Sequence, residues 1–141
     1  MTDAQLVYPM FTLVGLSAFV LGVLFRRRVR AVREGKVAAR FFQIYQGGPE
    51  PDEAAKAARH FSNLFEAPTL FYAGCITAMI TRNITLSIVI LAWIYVTARI
   101  AHAAIHLHAN RLRPRIRAYF VGWVALLGLW LDVVIHTTVR G

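Results

Sequence analysis

Four apolar runs, each about long enough to cross a bilayer, are separated by segments that carry most of the charge. They extend from about Leu6 to Phe25, from His60 to Ile80, from Ile84 to His108 and from Ala118 to Val139. A helix needs roughly 20 residues to cross the hydrocarbon core. Lipid leaves an open strand's backbone unsatisfied, and the alternation of a membrane β-barrel is missing, so the runs are expected to be helical. The expected fold is all-α: one integral membrane domain over residues 1–141, a bundle of four transmembrane helices. With 57% hydrophobic residues and a mean hydropathy of +0.52, the composition is far from that of a soluble domain.

Charge orients the spans. The net charge is +9, which in a soluble chain would point to nucleic acid. Here the basic residues sit between the apolar runs, so membrane lipid headgroups are the expected partners and nucleic acid is not. Nine Lys/Arg fall between Arg26 and Arg59, and Arg111, Arg113, Arg115 and Arg117 follow the third run. Four spans put both basic segments on one side, opposite Arg82 and Arg140. The positive-inside rule places them in the cytoplasm, with both termini on the non-cytoplasmic side and, in a bacterium, the inner membrane as location. Asp3 precedes the first run and the arginines follow it, unlike a signal peptide, so that run is expected to remain. Thr81, Arg82 and Asn83 are the whole connection between the second and third runs, which predicts an antiparallel hairpin. Gly47, Gly48, Pro49 and Pro51 break the first basic segment, and a helix is expected to start near Asp52, before the membrane. The third helix is expected to project towards Asn110.

Ionisable groups inside spans are candidate site residues. Arg59, Asn63 and Glu66 are spaced i, i+4, i+7, and Arg99, His102 and His106 are spaced i, i+3, i+7. Glu66 lies 16 residues before Arg82 and Arg99 lies 17 after it, so a continuous hairpin would bring them to one depth and allow a Glu66–Arg99 pair. The plainer reading is interhelical polar contact, with the outer arginines snorkelling to headgroups. His102 and His106 have a spacing able to hold zinc or haem iron. His108 is off that face and no second Cys/His cluster completes a set, so no metal site is expected. Asp132 and His136 are expected to share a local hydrogen bond. Cys75 has no partner for a disulfide and reads as a packing residue.

The stretch Arg59-His60-Phe61-Ser62-Asn63-Leu64-Phe65-Glu66-Ala67-Pro68 resembles the second-helix signature of the MAPEG family, the membrane-associated proteins in eicosanoid and glutathione metabolism. Arg99-Ile100-Ala101-His102, followed by Arg113-Pro114-Arg115-Ile116-Arg117, resembles the family's third-helix motif and the basic turn after it. Gly47-Gly48-Pro49 has a counterpart in some members. The resemblance implies a homotrimer of four-helix subunits, with glutathione as co-substrate bound between neighbours near the cytoplasmic side. It implies that Asn63 and Glu66 hold the glutathione backbone, that Arg99 and Arg117 meet its carboxylates, and that His102 shapes the pocket, with Arg59 and His106 on the same two faces. Arg117, or an arginine ending the first helix (Arg27, Arg28 or Arg30), would stabilise the thiolate. The implied activity is a glutathione-dependent transferase or peroxidase acting on a lipophilic electrophile. The alternative is a non-enzymatic membrane protein that binds another anionic ligand or a headgroup. Two positions depart from the family pattern: His106 replaces a tyrosine, and Ser62 replaces a basic or polar residue.

Overall fold

The structure is a computed structural model that describes residues 2–45, 49–108 and 111–140. Among these it contains six helices and no strand: α1 (Ala4–Arg33), α2 (Phe41–Ile44), α3 (Asp52–Asn63), α4 (Ala67–Ile80), α5 (Leu86–Leu107) and α6 (Leu112–Arg140). Three of them, α1, α5 and α6, are long and apolar enough to cross a membrane. Gly47, Gly48 and Asn110, which figured in the sequence reading, lie outside the described residues.

The second apolar run is interrupted, which corrects the expectation of one continuous helix there. α3 starts at Asp52 as anticipated, but it ends at Asn63, and α4 begins only at Ala67. Pro68 explains the break: it has no N–H to give, and its ring would clash with the carbonyl of Leu64 in a continuous helix. In the first turn of α4 the same proline is tolerated, because that N–H has no helical partner anyway. The even stripe of Arg59, Asn63 and Glu66 is lost, since Asn63 closes α3 and Glu66 precedes α4.

Helix ends follow local chemistry. Beyond α1, Gly35 takes φ +69° while the Lys36 and Gly35 amides donate to Ala31 and Val32, a left-handed glycine stop. α4 stops in the same way, but with Arg82 at φ +54° and the Asn83 and Arg82 amides donating to Ala78 and Met79. α6 begins at Leu112, so Arg113, Arg115 and Arg117 belong to its first turns, with Pro114 there tolerated for the reason given for Pro68.

α5 is the most buried long helix and packs chiefly along α6. α1 lies against α3 and α5, and α4 packs on α6. One core unites Leu6 and Leu13 of α1, Phe71 and Cys75 of α4, Ile88 and Tyr95 of α5, and Leu126 and Leu129 of α6. A second joins Val20 and Leu24 to Ala57, Leu64 and Leu107. The outward faces carry Phe11, Phe19 and Phe25 of α1 and Phe120, Val124 and Leu131 of α6, as expected of surfaces solvated by lipid tails.

Polar contacts tie both ends of the bundle. At the hairpin end, Asp132 of α6 accepts from Thr85 Oγ1 at 3.0 Å and from Ser87 Oγ, both at the start of α5, and from His136 Nδ1 at 2.9 Å. A carboxylate there also suits the positive end of α5. The local Asp132–His136 contact is present, and a bond between helices accompanies it. At the other end, the Arg27 guanidinium donates to the Leu107 carbonyl at 2.7 Å and to the Glu53 carbonyl at 3.1 Å. The segment after α1 and the one after α5 therefore share an end, as the loop charges required.

Two outcomes test this packing. A Cβ on Gly74 would lie 2.7 Å from Leu129 Cδ2 and 3.3 Å from Trp130 Nε1, which itself donates to the Leu70 carbonyl. Gly74→Ala should destabilise the protein by about 1–3 kcal/mol through overpacking, read as a lower Tm in detergent. Asp132→Ala removes the carboxylate that joins α6 to the Thr85 and Ser87 hydroxyls and should cost about 1–3 kcal/mol in denaturant unfolding.

Candidate functional site

The site lies where the end of α3, the last two turns of α5 and the first turns of α6 meet. A cavity of about 360 Å³ there is lined by Asn63, His102, His106, Arg115, Ile116, Tyr119 and Phe120. α5 supplies the polar face, because Arg99, His102 and His106 project from one side of an otherwise apolar helix. All three are buried.

Arg99 and His102 are each held by a neighbouring backbone. Arg99 Nη2 donates to the Asn63 carbonyl at 2.9 Å. That carbonyl is available because α3 ends at Asn63. His102 Nδ1 lies 3.2 Å from the Arg115 carbonyl. A carbonyl only accepts, so Nδ1 carries the proton and Nε2 keeps its lone pair. His106 lies close enough to α3 for the backbone of Lys56 to act on it electrostatically. The Tyr119 ring packs 5.7 Å from that of His102.

Glu66 and Arg99 do not pair. Glu66 is exposed in the break between α3 and α4, and the carbonyl of Asn63 takes the role expected of its carboxylate. The depth argument assumed an unbroken helix from residue 60 to 80, and the break at Pro68 removes that premise. Arg59 and Arg117 are exposed on the surface of the subunit, outside the cavity lining. Arg115, not singled out in the sequence, is the arginine lining the cavity.

The arginines ending α1 are engaged elsewhere. Arg28 donates to the Tyr45 hydroxyl at 2.6 Å, pairs with Glu50 at 3.4 Å and lies 5.1 Å from the Phe42 ring centroid. Arg30 is exposed and pairs with Glu34. Arg27 spans α5 and α3 as described and pairs with Glu53 at 3.4 Å. Glu53 is held below the ordinary carboxylate range, first by the hydrogen bond from Lys56 and then by the charge of Arg27. These groups surround a separate, larger opening between α1 and residues 49–54.

One buried member of the region was missed in the sequence. His60 of α3 is fully buried, with its ring centroid 5.5 Å from His102 and 5.0 Å from His106. A signal for it exists: His60 continues the Ala54 and Ala57 face at three-residue spacing. It lies 22 residues before Arg82, between the 20 and 24 that separate Arg82 from His102 and His106.

A family model for the MAPEG family matches residues 6–135, nearly the whole chain. The chain belongs to the MAPEG family. With three membrane-length apolar helices, this MAPEG protein is an integral multi-pass membrane protein. No curated protein and no solved structure matches it.

The Arg99 contact is a joint between α5 and α3. Arg99→Ala strips the donor from the Asn63 carbonyl and should lower stability by about 1–3 kcal/mol, measured by thermal unfolding in detergent.

Proposed function

We propose that this MAPEG protein is a glutathione-dependent transferase or peroxidase for lipophilic electrophiles, working as a homotrimer of four-span subunits with both basic segments in the cytoplasm. The observation that carries this reading is the polar cavity at the basic end of the bundle. It combines an amide, an arginine, two imidazoles and a phenol within an otherwise apolar chain. Glutathione has two carboxylates, one ammonium and a thiol, so a site for it needs several guanidiniums and one carboxylate.

Membership of the family supports the chemistry, and the subunit surface supports the assembly. Glu66, Arg59 and Arg117 are exposed near the cavity. A charge facing lipid is costly, and a neighbouring subunit supplies partners for it. In this arrangement Glu66 takes the glutathione ammonium, Asn63 its backbone, and Arg99 and Arg117 its carboxylates. The start of α6, with Arg113, Arg115 and Arg117 and the helix's positive end, also favours an anion. A guanidinium of this cluster, Arg117 or Arg115, stabilises the thiolate by lowering the thiol pKa. The thiolate attacks the electrophilic carbon, a C–S bond forms, and the leaving group departs with the electron pair. An apolar groove on α5 and α6, lined by Val89, Trp93, Ile94, Ala98, Ala101 and Val121 among others, suits an acceptor arriving from the lipid.

The second reading is a non-enzymatic binder of another anion or a lipid headgroup. It is favoured by His106, buried where the family pattern has a tyrosine and so presenting no phenol to the cavity.

Calorimetric titration of the protein in detergent with glutathione separates the two. Wild type should bind, Glu66→Gln should weaken binding by about 10-fold or more through loss of the ammonium partner, and Arg117→Ala should slow conjugation of a chlorodinitrobenzene-type acceptor. Wild type that neither binds glutathione nor forms a conjugate overturns the enzyme reading.

A further inference from the structure

His60, His102 and His106 come from two helices and converge. One ring nitrogen of each lies within 4.8 Å of the other two. Their exposures are 0%, 5% and 7%. Such depth demands partners for polar nitrogens, yet four of the six lack any among the described residues: both nitrogens of His60, Nε2 of His102 and Nδ1 of His106.

A partnered nitrogen is as informative as the bare ones. His102 gives its Nδ1–H to the Arg115 carbonyl. A metal-ligating histidine characteristically donates its other ring N–H to a carbonyl or carboxylate, which sets the tautomer and aims the free lone pair. His102 is held in that way, and its Nε2 has no partner among the described residues.

We propose that His60, His102 and His106 form a three-histidine site for a divalent transition metal ion, with zinc the best match. The ring spacing agrees. Imidazoles bound tetrahedrally at about 2.0–2.1 Å place their centroids about 5 Å apart, and the three here are separated by 5.0, 5.5 and 5.9 Å. The ligand nitrogens lie within 4.8 Å of one another, and a tetrahedral ion draws them to about 3.3 Å. Neutral imidazole donors without thiolate or carboxylate select this class of ion over magnesium or calcium.

The fourth position is open. His102 and His106 line the cavity, so a further ligand reaches the metal from there. Arg99 and Arg115 are near enough to act on the histidines electrostatically. The fourth ligand is a water or an anion drawn from the cavity. The site stands independently of glutathione binding.

The test uses untagged protein in detergent, stripped with chelator and titrated with Co²⁺ and Zn²⁺. One ion per chain is expected, with the intensified ligand-field absorption of tetrahedral Co²⁺. His60→Phe keeps an aromatic ring in the space and removes one ligand. It should weaken Zn²⁺ binding by more than the roughly 100-fold that marks the upper range for loss of an outer-shell partner. His108→Ala, at an exposed position, should bind as wild type does. Stripped wild type that develops no tetrahedral Co²⁺ spectrum, or equal Zn²⁺ affinity in wild type and His60→Phe, overturns the proposal.

Discussion

The polar face of α5 governs how the other helices sit. Arg99, His102 and His106 project from a helix whose remaining surface is apolar, and no lipid tail can solvate them. Each must find a partner inside the protein. For Arg99 and His102 the partners are backbone carbonyls of α3 and α6, those of Asn63 and Arg115. A backbone carbonyl accepts from a side chain either with a lone pair that its own helix leaves free or with the second lone pair beside its helical bond. The end of α3 and the first turns of α6 meet that requirement in different ways. Asn63 is the last residue of α3, whereas Arg115 spends its second lone pair.

The same requirement links fold to site. Because α3 ends ahead of Pro68, the Asn63 carbonyl is free to accept from Arg99, and Glu66 falls outside both helices and is exposed. Charges exposed at the edge of a cavity invite a neighbouring molecule, whether another subunit or a ligand. The opposite end of the bundle is built more simply. Asp132 joins α6 to the start of α5, and the tight stop at Arg82 brings α4 back beside the core. Polar contacts thus join the helices at both ends, whereas the buried histidine nitrogens without a partner among the described residues lie at the basic end.

Much of this was legible in the residues. The apolar runs, the hairpin at residues 81–83, the start of α3 near Asp52 and the shared end of the two basic segments all follow from hydropathy, capping and charge. Helical spacing also put His102 and His106 on one face of α5, but that Asn63 joins them at a cavity while Glu66 stays outside was not legible. Nor were the partners of Arg99 and His60. Pairing Glu66 with Arg99 assumed that 3.6-residue periodicity continued through Pro68, and a proline cannot sustain it. His60 directly follows Arg59 in the sequence, yet it belongs to the alanine face of α3 that is buried against α5.

The sequence by itself determined the class of molecule, since hydropathy and charge act through solvent and need no neighbour to be read. It also determined which helix would carry polar groups into the interior. Only the tertiary structure decided what those groups meet. Which carbonyl accepts Arg99, which arginine lines the cavity, and that a third histidine completes the ring around His102 and His106 all depend on where α3 breaks and how deeply α5 sits against α6. Contacts between helices are set by the angle and depth of packing, and a linear pattern of residues carries neither.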